Sequence, residues 1–304
     1  MITKDTKVII QGITGRQGQI HARRTIESNT VLVGGTAPGK GGTRVCGRPV
    51  YDTLEALMKE HPEANASMIL VPPKFVLSAA MEAIEQRIPL INIITEFVPV
   101  LDMLKILQSA KEANVIVNGP NTIGMIKPGV AKIGVMPQDI YRKGKIAIIS
   151  RSGTLTHEVS SNLAFAGFGE SICICIGGDW LTGLSHCTAL DMVLSDPDTK
   201  ALILLGEIGG TSEEDVAEKI GQMQLEIPVI GYIAGVSAPE GKKMGHAGAI
   251  VSKGRGSARS KRQAFLDAGI LVAETTGILL NMVEELDQKM DGALKTGDSI
   301  KDRE

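Results

Sequence analysis

Val8-Ile9-Ile10-Gln11-Gly12-Ile13-Thr14-Gly15-Arg16-Gln17-Gly18 is the stretch that settles what kind of fold this chain adopts. Four residues suited to a buried strand run straight into a turn with three evenly spaced glycines. The following segment, Gln19–Glu27, repeats its apolar positions at helical spacing. Strand, glycine turn and helix in that order open a βαβ unit, and the turn brings free backbone N–H groups and a partial positive charge to the helix start.

Reading outward, the same alternation continues. Thr30–Val33, Ser67–Val71, Leu90–Ile94 and Val115–Asn118 read as buried strands, with helical patterns at Thr53–Lys59, Val76–Gln86 and Leu101–Ala113. Strands separated by helices of this length require a parallel sheet with right-handed crossovers. Gly119 to Lys143 carries Pro120, Pro128 and Pro137 and reads as a connection, which sets domains at residues 1–125 and 145–304 with 126–144 as a linker. A second series then follows: Lys145–Ile149, Ser171–Ile176, Ala201–Leu205, Val229–Tyr232, Gly248–Val251 and Ile270–Val272. The tail after Met290 is short and charged and is expected to fray. The fold class is α/β with two open parallel sheets, and ligands belong at the carboxyl ends of the strands.

Composition narrows the class of partner. A formal net charge of −2 gives no reason to expect nucleic acid or an anionic membrane surface. No apolar run approaches the ~20 residues needed to span a bilayer. The first seven residues lead directly into a strand and lack the long apolar region of a signal peptide. Four cysteines (Cys46, Cys173, Cys175 and Cys187) do not make a disulfide framework in a chain of 304 residues. Cys173 and Cys175 alternate along a strand and read as a reduced buried pair, since no further ligands lie nearby for a metal. The expectation is a cytoplasmic protein, or one from an organelle matrix with its transit peptide absent, and no metal site in this chain.

The second strand decides the kind of nucleotide. A NAD site wants Asp or Glu near its end to hold the ribose hydroxyls. This chain has Gly34-Gly35-Thr36-Ala37-Pro38-Gly39-Lys40-Gly41-Gly42 instead, a glycine loop bearing one lysine. A cation there suits a ligand with an extra ribose phosphate, which CoA and NADP both carry; read alone, Lys40 is equally a solvated loop lysine. Val71-Pro72-Pro73 and Ile94-Thr95-Glu96 sit at strand ends where they could line the adenine or the pantetheine arm.

The second half carries a histidine between small residues, Lys243-Met244-Gly245-His246-Ala247-Gly248-Ala249. With no bulky neighbour, His246 sits on a backbone free to approach another group, as a nucleophile requires. Glu207, in Gly206-Glu207-Ile208-Gly209-Gly210, directly follows a strand; a carboxylate holding one imidazole nitrogen makes the other a better nucleophile. Glu207 also fits a surface carboxylate near a helix start. Ser150-Arg151-Ser152-Gly153-Thr154-Leu155-Thr156 follows the Lys145–Ile149 strand, and Ser152, Thr154 and Thr156 are residues that cap a helix and donate to a phosphoryl group.

Taken in order, Thr14–Gly18, Pro38–Gly42, Ser150–Thr154, Gly177-Gly178-Asp179, Gly206–Gly210 and Met244–Ala249 resemble the motifs of succinyl-CoA synthetase (succinate–CoA ligase) α subunits, a group related to citryl-CoA synthetase and ATP-citrate lyase. The resemblance covers nearly the whole chain. It implies a Rossmann-like CoA-binding domain followed by a flavodoxin-like ligase domain that carries a phosphohistidine. It implies that Thr14, Gly15, Arg16, Gln17, Lys40, Ile94, Thr95 and Glu96 contact CoA. It makes His246 the phosphorylated residue and Glu207 its orienting carboxylate, with Ser152, Gly153 and Thr154 at one of two helices that cradle the phosphate. The other helix, and ATP or GTP with its Mg2+, are implied to belong to a β subunit with an ATP-grasp domain, for which this chain has no residues left. The implied reaction passes a phosphoryl group from nucleotide to His246 and on to a small carboxylic acid, and CoA then displaces phosphate from the acyl phosphate.

Three positions depart from the family's succinate-binding members. The tyrosine that those members place at the substrate is here His157; Pro-Asn-Cys-Pro-Gly is here Pro120-Asn121-Thr122-Ile123-Gly124; and the proline after Gly-Gly-Asp is here Trp180. ATP-citrate lyase departs at the same places with other residues. His157 suits an extra carboxylate or hydroxyl, so citrate and malate stand beside succinate as the acid. Two other classes remain open: a CoA-binding protein without phosphoryl transfer, and a NAD(P)-dependent oxidoreductase, against which the missing acidic residue speaks.

Overall fold

The apolar runs form strands where sequence spacing places them. The computed structural model describes residues 2–223, 225–236 and 255–296, and the chain divides into two units, residues 1–137 with 181–184 and residues 138–180 with 185–304.

In the first unit the strands are β1 (Lys7–Gln11), β2 (Val31–Thr36), β3 (Arg44–Val45), β4 (Arg48–Tyr51), β5 (Ala66–Ile69), β6 (Leu90–Ile93) and β7 (Ile116–Asn118), in the order β3-β4-β2-β1-β5-β6-β7. All pairs are parallel except β3 with β4. The helices are α1 (Arg16–Glu27), α2 (Leu54–Glu60), α3 (Val76–Glu85) and α4 (Val100–Ala113). Chain order runs outward from β1 on both sides, so β1 ends at the point where the topology reverses. This is the Rossmann arrangement, in which the ligand crevice opens beyond that strand end. Ile9, Ile69, Val76, Ala80, Ile91 and Ile106 belong to the core that holds the helices on the sheet.

The segment expected as a linker has structure of its own. An antiparallel hairpin, β8 (Gly124–Lys127) with β9 (Ala131–Gly134), forms there; β9 packs against β5 and α1, and the Asn92 side-chain amide donates to the Ile133 carbonyl.

The second unit orders its parallel strands as β14 (Leu271–Ala273), β13 (Val229–Ala234), β12 (Ala201–Glu207), β10 (Lys143–Ser150) and β11 (Glu170–Cys175). Numbered by appearance this is the flavodoxin order, with its reversal at β10. The helices are α5 (Gly153–Phe165), α6 (His186–Leu194), α7 (Ser212–Gln222), α8 (Ala258–Asp267) and α9 (Thr276–Lys289). Every residue of β11 and β12 is buried, as expected for strands covered on both faces. Cys173 and Cys175 are buried thiols that form no disulfide. The expected strand Gly248–Val251 lies outside the described residues.

The tail after Met290 departs from expectation. Leu294 is fully buried, Lys295 bridges to Phe168, and the Asp287 carboxylate accepts from the N–H groups of Leu294 and Lys295 at 2.7 and 3.1 Å. One apolar side chain and a carboxylate cap tie residues 291–296 down despite their polarity.

Candidate active site

At the end of β1 the chain turns left-handed at Gly12, with φ +88°, and a Cβ there would sit 2.9 Å from the Leu70 carbonyl oxygen. A Cβ on Gly18 would come within 2.2 Å of the Gly12 oxygen, so only glycine lets α1 start this close to the turn. Gly15 caps α1 without a side chain, and the first turn contains no acidic residue. The start of α1 is therefore backbone, open to an anion. Thr14, Gly15, Arg16 and Gln17 all lie on this turn; the Gln19 side chain steadies it by donating to the Thr14 carbonyl at 2.8 Å.

Thr14 and Lys40 line one cavity of about 420 Å³, with Pro38, Val71, Pro72 and Phe75 among its other walls. The carboxylate missing from the end of β2 is supplied by the next strand. Asp52, just beyond β4, lines the same cavity and accepts from the Gly41 N–H at 2.9 Å, which fixes the Lys40 loop. Arg16 faces a neighbouring groove instead, which shares Thr14. Ile94, Thr95 and Glu96 do not line the cavity. They are joined to it through the Thr95 hydroxyl, which donates to the Val71 carbonyl at 2.6 Å.

In the second unit the start of α5 is built differently. Ser152 is its N-cap, accepting from Leu155 N–H at 3.3 Å, while the Thr156 hydroxyl donates back to the Ser152 carbonyl at 2.6 Å. The Ser150 hydroxyl donates to that carbonyl too, at 3.0 Å. Gly153 begins the helix and Thr154 is exposed on its first turn. Arg151, 7% exposed, reaches across the carboxyl ends of the strands and donates to the Gly209 carbonyl at 3.1 Å and to the Asp179 carbonyl at 3.5 Å. One guanidinium thus joins the three loops that follow β10, β11 and β12.

Glu207 ends β12 and is 8% exposed. Its loop is held from beneath by Lys261 on α8, whose fully buried ammonium donates to the carbonyls of Glu207 and Gly209, both at 2.7 Å, and to the Glu213 carboxylate. Glu213 in turn accepts from the Glu207 N–H at 3.2 Å. Burial alone would raise the Glu213 pKa; Lys261 first, then His186 and Arg151, hold it below the ordinary range. His186, at the start of α6, is buried with no partner for either ring nitrogen, and burial pushes its pKa down to about 4. Glu213 opposes that shift, and Arg151 and Lys261 add to it. His246 lies outside the described residues.

His157 is half-buried on α5, with Nδ1 2.8 Å from the hydroxyl of the buried Tyr141. Burial lowers its pKa. Trp180 is 62% exposed, directly after Asp179. Arg151, Lys261, Glu213, Tyr141 and Asp52 were not singled out by sequence. Lys261 alone left a local signal: it stands at the buried spacing of α8 with Ala258 and Phe265, a lysine on an apolar face. Among the described residues no group of three or more His, Cys, Asp or Glu could hold a metal ion, and no helix is long and apolar enough to cross a membrane.

Residues 3–97 match the CoA-binding domain family and residues 149–271 the CoA-ligase family. Over 278 residues the chain is 46% identical to the succinate–CoA ligase [ADP-forming] subunit alpha of Aquifex aeolicus, a match covering 90% of each chain. The chain belongs to the succinate–CoA ligase α-subunit family. Members of that family are subunits of acid–thiol ligases, which join an acid to CoA, and the two matched domains fall on the two units described above. Relatives differ in the acid they are named for: the ADP-forming sulfoacetate–CoA ligase subunit SqwL of an Acholeplasma species is 40% identical over 288 residues, 94% of this chain and 97% of its own. Among solved structures, a Methanosaeta concilii ATP citrate lyase variant in complex with (3S)-citryl-CoA matches with a TM-score of 0.87 over 98% of this chain. At 22% identity that likeness shows the fold alone, and this chain spans 52% of the longer one.

Proposed function

We propose that this chain is the CoA-binding, phosphoryl-carrying subunit of a nucleotide-dependent acid–CoA ligase, with succinate as its acid. The observation that carries the reading is the Arg151 junction, which ties an anion-ready helix start, capped by Ser152, to the loop of Glu207. Arginine and helix-terminal N–H groups fixed in advance stabilise a transferring phosphoryl group without reorganising.

In this reading an imidazole nitrogen of His246 takes the γ-phosphoryl group of ATP or GTP and releases the diphosphate. A carboxylate oxygen of the acid then takes the phosphoryl group from His246 and becomes an acyl phosphate. The CoA sulfur attacks the acyl carbon and inorganic phosphate leaves. Glu207 orients the imidazole; the N–H groups at Gly153 and Thr154 hold the phosphate oxygens. Thr14, Gly15, Arg16, Gln17 and Lys40 hold the CoA phosphates, with Thr95 bracing the cavity wall and Ile94 and Glu96 beside it. Nucleotide and Mg2+ belong to a partner β subunit with an ATP-grasp domain, so the chain by itself does not complete the reaction. The assembly belongs in the cytoplasm or an organelle matrix. His157, standing where the family's succinate-binding members carry tyrosine, supports a second reading of the acid alone, in which citrate or malate replaces succinate.

The test is labelling from γ-labelled nucleotide in the complex with the β subunit. The wild type is expected to take a label that survives base and is lost in acid, and His246→Asn to lose it while still binding CoA. Undiminished labelling of the variant removes His246 from the mechanism.

A further inference from the structure

We infer that Tyr141 is a positioning residue for the acid substrate: its hydroxyl fixes His157 in the tautomer that offers an Nε2–H donor to a second polar group on the acid. The inference rests on the reading of α5 as the phosphoryl site and adds to it a device for choosing the acid.

The chemistry begins with Tyr141, which is 3% exposed. Burial raises its pKa, with Cys173 and Glu170 adding to the shift, so the hydroxyl keeps its proton. A buried hydroxyl proton requires an acceptor. Nδ1 of His157 lies 2.8 Å away, and the two rings meet edge to face at 5.9 Å. A neutral imidazole accepts only at the nitrogen that lacks a proton. With the Tyr141 O–H donating to Nδ1 rather than to Ser160, the other side chain within its hydrogen-bond reach, the ring takes the tautomer with Nδ1 bare and Nε2 protonated. Burial favours the neutral ring, and no charged group among the described residues shifts it further.

Helix geometry then says where this donor lies. A helical side chain leans toward the N-terminus and covers the turn before its own Cα. His157 therefore lies over Gly153 and Thr154, the first turn of α5, and Gly153 adds no side chain to fill that space. Nδ1 is bound inward to Tyr141, and Nε2 is not among the buried polar atoms that lack a partner. The imidazole presents Nε2–H one helical turn from the N–H groups that hold the phosphoryl oxygens. An acid whose carboxylate is phosphorylated there, and which carries a second carboxylate, sulfonate or hydroxyl, meets this donor; a monocarboxylate does not.

The experiment uses the complex with its β subunit, with 15N-histidine in this chain, and the variants Tyr141→Phe, His157→Phe and His157→Gln. Tyr141→Phe removes one oxygen and keeps the buried ring. In the wild type the ring nitrogen shifts of His157, assigned by their loss in His157→Gln, should report a single tautomer protonated at Nε2. Tyr141→Phe should mix the tautomers and raise KM for succinate about three- to tenfold, with KM for CoA and labelling from nucleotide unchanged. His157→Phe should raise that KM further, and His157→Gln, which keeps an N–H donor, less than His157→Phe. Butanoate, which lacks the second carboxylate, should show no change with any variant. Mixed tautomers in the wild type, an unchanged KM for succinate in Tyr141→Phe, or an equal rise for butanoate overturns the assignment. Failure of acids to discharge the labelled wild type overturns the phosphoryl reading and this one with it.

Discussion

The starts of α1 and α5 are both places where a helix offers its N–H groups to an anion, and they are built in opposite ways. At α1 the turn is glycine, the cap carries no side chain, and the cation nearest the cavity, Lys40, stands on an exposed loop. At α5 the cap is a serine, the guanidinium of Arg151 is buried, and a buried lysine–glutamate pair underpins the adjoining loop. The difference follows the tasks proposed for them. A ligand that binds and leaves needs room and a few exchangeable contacts. A phosphoryl group in transfer needs donors already in place, because their rearrangement would add to the barrier. The first site is made by omitting side chains, and the second by locking them.

The comparison can be broken most forcefully at Lys261. Lys261→Met leaves Glu213 buried without its partner and should destabilise the second unit by about 3–5 kcal/mol. Calorimetry of the variant should show that loss with CoA binding by the first unit retained. A loss below about 1 kcal/mol would mean the loop does not depend on the pair.

Acid separates the units less sharply, since among the described residues each buries one histidine. His21 on α1 and His186 on α6 both have pKa values pushed down to about 4, by burial first in each case. The unfolded chain binds these protons below about pH 6.5 and the folded chain does not until about pH 4. Their contribution is therefore complete above pH 6.5 and is lost as the pH falls towards 4, up to about 3 kcal/mol for the fully buried His186 and less for His21, whose ring solvent screens in part. Melting temperatures measured from pH 7 to 4.5 should fall along this window. His186→Phe should flatten the slope for the second unit alone; an unaltered slope would show that His186 does not titrate there.

Lys40→Ala tests the open site and should weaken CoA by roughly 1.5–3 kcal/mol with little effect on stability. Titration with dephospho-CoA identifies the group it meets: a smaller loss for that ligand assigns Lys40 to the 3′-phosphate, and an equal loss assigns it to the pyrophosphate. The smallest effect is expected at the cap. Ser152→Ala should cost about 1 kcal/mol of stability, whereas Gly15→Ala at the cap of α1 removes no side-chain bond. If thermal shifts for the two are equal, the contrast between a capped and an uncapped helix start has no energetic content.

Both sheets were legible in the sequence because parallel strands are apolar runs and their spacing by helices admits few topologies. The glycine turn at Gly12–Gly18 and the Ser150–Thr154 cap were legible for the same reason: their chemistry lies within seven residues of chain. Short pieces were not. The two-residue strand β3 and the hairpin β8–β9 carry too few positions to show a period. Nor were the contacts that assemble the second site. Arg151 lies 58 residues from Gly209, and Lys261 lies 54 from Glu207. Locally, Lys261 differs from its neighbours Arg259 and Arg262 only in standing on the buried side of α8. The role of Asp52 was hidden in the same way, since the loop it pins belongs to another strand.

The strap at residues 291–296 has a consequence for handling the protein. Leu294 fills the core, Thr296 donates its N–H to the Gly167 carbonyl at 3.1 Å, and the Lys295 ammonium sits 5.8 Å from the centre of the Phe168 ring. Phe168 lies two residues before β11 and is itself fully buried. Trimming the chain back to the end of α9, as its charged tail invites, would therefore uncover an aromatic ring at the root of β11. The shortened protein would expose a sticky apolar surface where the intact chain buries it.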